Sequence, residues 1–487
     1  MKEERKMKGQ KLFLILSTVI LLGGIAGQRM VLANSAQRNW RGVSATGAIV
    51  TDEDCPLVVE EEQLTFAVSE FPQSYYQTEN DFLTYTGMVT AEYSFYNPAD
   101  YTVTAKLVFP FGAFPDYGYD RYDEQRGNRV RSNDTAKYAV KVNGREIEKR
   151  LRHTLSWYYE QFDLNKDMGR LRDSFWEDDF YSPDLEVTRY IYAVSGVDRE
   201  KNPAATVALD IPKFDGRTKF FLEEERGFQI RTDGSARLDL WAKNGQEVIL
   251  NVIGEVPSQE MKWTFYKDGG AKDGEEIDGA MTLLQMEKLS LRELALMKYP
   301  ANSGIAEADW YNAIVEMFRQ SSKNHGGGIF LMNYPDDLDI SDALMRWYEY
   351  EITLEPGQRL TNTVEAPLYP SIDTRYEPPV FGYTYLLSPA QTWAQFGRLK
   401  IRVNTPFFLT ESSLPEFVQT NDGYLLDLAK LPAGELTFSL SESQKPKAET
   451  QVRSSAFYKK MLIAAFITVV VFGFVIGVVR VLRGRRK

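Results

Sequence analysis

Cysteine is almost absent. Cys55 stands alone among 487 residues, which excludes any disulfide within the chain. Histidine is nearly as scarce: a zinc site of three nitrogen or sulfur ligands would need His153, His325 and Cys55 together. No Gly-x-Ser-x-Gly, no Ser-x-x-Lys and no Leu-Pro-x-Thr-Gly occurs anywhere, so the motifs of α/β-hydrolases, penicillin-binding enzymes and sortase substrates are missing. Leu431-Pro432-Ala433-Gly434-Glu435 only approximates the last. Positive charge is short in the middle of the chain. The whole stands at −11 while residues 1–36 carry +4 and residues 459–487 carry +7, which leaves −22 on residues 37–458. A field of that sign repels phosphate, so no nucleic acid is expected as a partner.

Apolar side chains are concentrated at the two ends. Residues 461–479 form a nineteen-residue run, with Lys459 and Lys460 before it and Arg480, Arg483, Arg485, Arg486 and Lys487 after it. As a helix that run rises about 28 Å, enough for a hydrocarbon core of roughly 30 Å. The lipid bilayer is therefore an expected partner. Five of the last eight residues are basic, which predicts a cytoplasmic tail at 480–487 and places everything before residue 457 outside. At the other end a basic start, an apolar run over 12–26 and the small residues of Val31-Leu32-Ala33 read as a signal peptide over 1–33. An uncleaved anchor is the alternative; either exports residues 37–458. An exported chain of this size without disulfides suits a bacterial, Gram-positive surface better than an animal secretory route.

Between these ends alternation and turns dominate. Apolar residues at every second place mark strands over 85–96, 101–109, 137–142, 187–194, 236–241, 247–253 and 261–266. Asn97-Pro98-Ala99-Asp100 predicts a hairpin between the first two. A β-sandwich over 37–268 follows, with a short helix or lid in the less regular stretch 147–186, where Ile147, Leu151, Leu155, Tyr158 and Phe162 keep helical spacing. The polar run 267–274 reads as a linker. A helical segment at 275–335 is predicted from the Ser290/Glu293 capping pair and from the stripe Trp310, Ala313, Ile314, Met317 and Phe318. Strands over 346–354, 358–366, 380–387, 399–404, 424–428 and 435–440 make a second sandwich over 336–440, and 441–456 is a polar stalk. The expected fold is mainly β: two β-sandwich-like modules, a small helical segment and one transmembrane helix.

The chemistry-bearing strings are near misses. His325-Gly326-Gly327-Gly328 matches a lipase oxyanion loop but lacks its serine elbow, so it reads as a flexible loop. Asp163-Leu164-Asn165-Lys166-Asp167 opens like a calcium loop, yet Met168 stands where glycine is required and Ser174 where glutamate is. Glu60-Glu61-Glu62, Trp176-Glu177-Asp178-Asp179 and Tyr334-Pro335-Asp336-Asp337 read as solvated faces. Neither a metal nor a cofactor is expected. The best binding candidate is the loop 109–122, whose six aromatics alternate with glycine, proline and aspartate. Phe109, Phe111 and Phe114 fit a packing role; Tyr117, Tyr119 and Tyr122 are the candidate ligand-binding residues.

The segment Thr90-Ala91-Glu92-Tyr93-Ser94-Phe95-Tyr96-Asn97-Pro98-Ala99-Asp100, with Ala105-Lys106-Leu107-Val108-Phe109-Pro110-Phe111-Gly112, resembles the opening of vault/inter-alpha-trypsin inhibitor domains. Val140-Lys141-Val142-Asn143-Gly144-Arg145 is similar to their next strand. The resemblance covers about a quarter of the chain and implies a β-sandwich adhesion or interaction module, not an enzyme. The usual companion, a von Willebrand factor A domain with Asp-x-Ser-x-Ser, is not matched, because Asp339-Ile340-Ser341-Asp342-Ala343 fails at its last place. Asp309-Trp310-Tyr311-Asn312-Ala313 and Tyr385-Leu386-Leu387-Ser388-Pro389-Ala390 also resemble single-pass surface proteins of Gram-positive bacteria. The expectation is a membrane-anchored surface protein that binds a wall glycan or a surface protein without turnover. Two alternatives stand beside it: an envelope glycan hydrolase using paired carboxylates, and a sensor ectodomain acting through a separate partner.

Overall fold

A computed structural model describes residues 45–46, 49–50, 55–71, 87–113, 119–123, 128–131, 138–155, 163–212, 217–257, 261–268, 274–301, 303–331, 340, 344–414 and 417–448. The expected signal peptide and transmembrane run lie outside these residues. Among the described residues no helix is long and apolar enough to cross a membrane.

The chain is mainly β, and its strands pair across the boundaries that the sequence suggests. Met88–Tyr96 buries Val89, Ala91, Tyr93 and Phe95, and Val103–Ala113 buries Val103, Ala105, Leu107 and Phe109, so both strands have the expected inward faces. They do not form a hairpin. Met88–Tyr96 lies between Val58–Ala67 and Arg359–Pro367 in an eight-stranded sheet, whereas Val103–Ala113 pairs with Leu344–Leu354 in a facing sheet of four strands. The turn between them is an arch that carries the chain from one sheet to the other. A second arch, between Leu344–Leu354 and Arg359–Pro367, lies against the first along its whole length.

Asn97 explains why this turn bridges sheets. Its side chain is fully buried; Nδ2 donates to the carbonyls of Tyr101, Leu354 and Glu355, while Oδ1 accepts from Ala99 N–H. Backbone bonds from Asn97 to Gln358 and from Gly357 to Asn97 join the two arches. One asparagine thus satisfies carbonyls that a tight hairpin would have paired in a ladder.

The expected division into a sandwich at 37–268 and another at 336–440 is therefore corrected. Strands from 45–155 and from 344–448 build one sandwich around a shared core in which Phe66 packs on Phe438 at 5.0 Å and on Tyr385 at 5.8 Å. Even its middle is shared: Val58–Ala67 runs parallel to Gln395–Asn404, with Leu64 opposite Ile401. A bulge between Val59 and Glu61 reverses the alternation, so that Val59, Glu62, Leu64 and Phe66 are all buried. Gly397 accommodates the bulge, because a Cβ there would stand 2.1 Å from the Glu60 carbonyl oxygen.

Residues 163–331 are an insert in this sandwich. Thr218–Leu222, Glu247–Gly254, Glu186–Ser195 and Ala280–Ser290 form one sheet; Gly227–Ile230, Ala236–Trp241, Thr206–Ile211 and Lys262–Tyr266 form the other. Their core holds Val207, Leu209, Leu238, Phe220, Leu250 and Val252. The polar run after Tyr266 is no domain boundary, since Tyr266 bridges to Glu276 and Lys267 N–H bonds the Glu275 carbonyl within the same module.

Among the described residues, three α-helices of the insert lie beside its sheets: α1 (Leu164–Met168), α2 (Leu291–Leu296) and α3 (Glu307–Asn324). The capping box of Ser290 and Glu293 starts α2 as its sequence requires. The expected stripe of α3 is buried; Trp310, Ile314 and Phe318 have no exposed surface. Those side chains pack on Val187, Phe221 and Ile253 of the insert and on Leu155 and Leu344 of the first sandwich, so the helical layer is the joint between modules. The short helix or lid expected within 147–186 falls at α1, Leu164–Met168, and not on the helical spacing that suggested it: Arg150–Leu155 is a strand paired with Leu344–Leu354, because cross-strand packing overrides a spacing of four. Residues 156–162 lie outside the described residues.

Candidate functional site

Of the predicted tyrosines, Tyr117 lies outside the described residues, as does Phe114. Tyr119 and Tyr122 belong to the strand Tyr119–Asp123, which pairs with Asn128–Arg131 in a two-stranded ribbon. A register shift between Tyr119 and Arg121 sets Tyr119 opposite Arg131 and Tyr122 opposite Arg129. Phe109 is core, as a packing role requires.

The calcium-like string is a helix start. Asp163 caps α1 by accepting from Lys166 N–H at 2.9 Å, and buried Asp167 holds Arg170 at 2.8 Å. Both carboxylates are thereby committed to the backbone and to a guanidinium. Among the described residues no group of three histidine, cysteine or acidic side chains is placed to hold a metal ion.

The glycine turn after α3 has its amides engaged. Gly327 N–H donates to Ser322 O at 2.8 Å, Gly328 N–H to His325 O at 3.2 Å and Ile329 N–H to Phe220 O at 3.2 Å. His325 Nδ1 donates to Ser321 O at 2.8 Å, and Ser321 Oγ is bonded to both the N–H and the carbonyl of Phe330. This is a packed turn in which neither an oxyanion hole nor an activated serine is assembled. Gly328 is needed because Phe228 lies against it: a Cβ would meet the ring at 2.2 Å.

Beneath that turn sits Glu225, which sequence reasoning missed. It is 1% exposed, accepts from Leu331 N–H, and its second oxygen, Oε2, has no hydrogen-bond partner among the described residues. Burial pushes its carboxyl up to about 9, and nearby Asp239 adds to the shift. Asp239 is itself raised by burial, with Arg226 opposing at 3.7 Å. Arg226 lies 4.1 Å over the half-exposed Trp241 ring, and Glu224 next door has φ of 60°. A neutral acid beside a second carboxyl can exchange a proton with a reacting group only where that group can reach it. No local pattern distinguished Glu225 among sixty-eight acidic residues.

Asp309-Trp310-Tyr311-Asn312 is a run of packing contacts. Trp310 Nε1 donates to Ala295 O at 2.9 Å, Tyr311 Oη to Trp176 O at 3.3 Å, and Asn312 Nδ2 to Ser174 O at 3.0 Å. Asp309 reaches Arg152 on the first sandwich. Arg152 also donates to Asp173 at 3.1 Å, to Glu349 at 3.0 Å and to the Arg172 carbonyl at 2.6 Å. Lys106 and Arg150 complete this cluster around Asp173 and Glu349. Two expected solvated faces are corrected only in part, since Glu177, Asp178 and Asp179 are exposed while Trp176 and Glu62 are buried. Trp176 is buried between the guanidinium groups of Arg172 and Arg319, at 3.8 and 4.2 Å, and Glu62 lies in the first core.

No protein-family profile and no curated protein matches the chain. Among solved structures it is similar to a Legionella pneumophila protein described as a "putative nutrient binding protein", at 10% identity and a TM-score of 0.32, over 82% of this chain and 72% of that one. A score of that size carries no argument about fold or function.

Proposed function

We propose that this chain is a membrane-tethered surface protein that binds or scaffolds without turnover, with residues 37–456 outside, a helix at 461–479 and a cytoplasmic tail at 480–487. The ligand class is a cell-wall glycan or a surface protein of a Gram-positive envelope. The observation that carries this reading is the buried Arg152–Asp309 joint, which couples two sandwiches into one body suited to presenting surfaces. Groups with catalytic potential are engaged in packing: Asp167 by Arg170, His325 by Ser321, Asp309 by Arg152. Tyr117, Tyr119 and Tyr122 remain the loop residues assigned to ligand contact.

Location is tested in cells. The mature chain is expected to start near Asn34, to resist carbonate extraction and to be cleaved by external protease, while deleting 457–487 releases it. Intact mass showing Met1 on the membrane form overturns signal cleavage; a soluble full-length protein overturns the anchor.

A second reading, glycan hydrolysis by two carboxyls, is favoured by the raised pair Glu225 and Asp239. Glycan release that disappears in both Glu225→Gln and Asp239→Asn would replace the binding role with this one.

A further inference from the structure

Ala280–Ser290 is an edge strand. Among the described residues it pairs only with Glu186–Ser195, so one side of its eleven residues offers N–H and C=O groups that no ladder takes up. Natural edges are guarded by charge, proline or brevity. This one carries charge only near its end, at Glu287 and Lys288, and exposes Leu283 at 48%, Leu284 at 55% and Met286 at 57% before it.

The exposed side chains form a continuous surface with their neighbours. The register sets Met286 opposite Tyr190 and Leu283 opposite Tyr192, with Leu284 as the extra residue of a bulge. Opposite residues share a face. The Tyr190 and Tyr192 rings stack at 6.2 Å, and Tyr192 meets Trp263 edge-on at 5.3 Å. An apolar and aromatic ledge therefore borders the unpaired edge.

Charge selects the occupant. At the start of the strand Glu276 and Asp278 are exposed; Lys267 neutralises Glu275 at 2.9 Å, and Lys288 is held by Glu186 at 2.9 Å. Two copies pairing through this edge would bring together two bodies that each stand at −22 over residues 37–458. Like charges so placed oppose association. We propose that this edge docks an extended, basic segment of a protein partner, added as a fifth strand with alternate apolar side chains on the ledge.

This gives the binding role proposed above a partner class. Its test reads one strand, whereas the location test reads the side of the membrane, so either can fail without the other. The full chain in detergent is mixed with an eleven-residue peptide alternating valine and lysine, or with the same peptide carrying glutamate for lysine, and amide exchange is followed. Exchange over 281–289 is expected to slow at least tenfold with the lysine peptide only. The Leu283→Lys/Met286→Lys variant should abolish that protection at an unchanged melting temperature; if it melts lower, Leu284→Lys at the bulge should still abolish it. Absence of protection, equal protection by both peptides, or a protein dimer formed through this edge overturns the proposal.

Discussion

Arg152 grips Asp309 with Nε and Nη2, at 3.2 and 3.1 Å, where both side chains are 2% exposed. Arg152 rises from the first sandwich and Asp309 from α3, so their contact fastens the insert to the fold that carries it. Burial opposes the charge on Arg152, yet Asp309, Glu349 and Asp173 hold it above its ordinary value. Removing Asp309 takes away the fully buried partner of Arg152 and leaves it only the more exposed Glu349 and Asp173. Asp309→Ala is expected to cost about 3–5 kcal/mol in urea unfolding. The double variant Arg152→Met/Asp309→Leu should recover most of that loss, and equal losses in single and double variants would contradict a mutual pair.

Glu62 is expected to make stability fall as pH rises. Tyr385 Oη donates to it at 3.0 Å, and Tyr93 Oη lies 3.3 Å from Tyr385 Oη, but burial outweighs these contacts and lifts the carboxyl from 4.5 to about 7. Below pH 4.5 both folded and unfolded chains hold the proton. Between 4.5 and 7 the unfolded chain has released it and the fold retains it, so unfolding gains about 1.4 kcal/mol per pH unit, on the order of 3 kcal/mol at most. Urea titrations at pH 5 and pH 8 should show Glu62→Gln gaining on the wild type by about 1–3 kcal/mol at the higher pH. A constant difference would contradict the shift.

Gly397→Ala should destabilise the shared sheet by about 1–3 kcal/mol, since its new methyl meets a backbone carbonyl that cannot rotate away. A thermal melt checks this. An unchanged melting temperature would mean that the bulge at Glu60 can relax.

For the loop tyrosines, Tyr117→Ala, Tyr119→Ala and Tyr122→Ala are each expected to weaken binding to wall fragments or cells roughly two- to tenfold. The basis is about 0.5–1.5 kcal/mol for an aromatic contact beyond its buried area. Stability should barely move. A triple variant that melts far below the wild type, or binds as well as it does, removes them from the site.

Inward faces were legible wherever burial alone sets the pattern: Val89 to Phe95 on a strand, Trp310 to Phe318 on α3. Pairing partners were not, because alternation states which side faces the core and is silent on which strand lies alongside. Asn97-Pro98 gave the turn but not its span, which depends on carbonyls at Leu354 and Glu355 far along the chain. Ala280–Ser290 escaped notice because its apolar residues are not alternately buried, and Glu62 because a bulge reverses the phase before it. The predicted tyrosines drew on aromatic spacing alone, which does not separate a ligand contact from a ribbon.

The two stacked arches also set an order of assembly. Met88–Tyr96 and Val58–Ala67 wait for Arg359–Pro367 and Gln395–Asn404, and the facing sheet waits for Leu344–Leu354, so no sheet of the first sandwich is complete until residue 354 has left the ribosome. The insert is contiguous from Glu186 to Ser290 and meets no such delay. Its sandwich can close while the strands around it still lack their neighbours, and the joint at Arg152 then forms as the late segment arrives. The carrier module is thus finished last, around a passenger that is already folded.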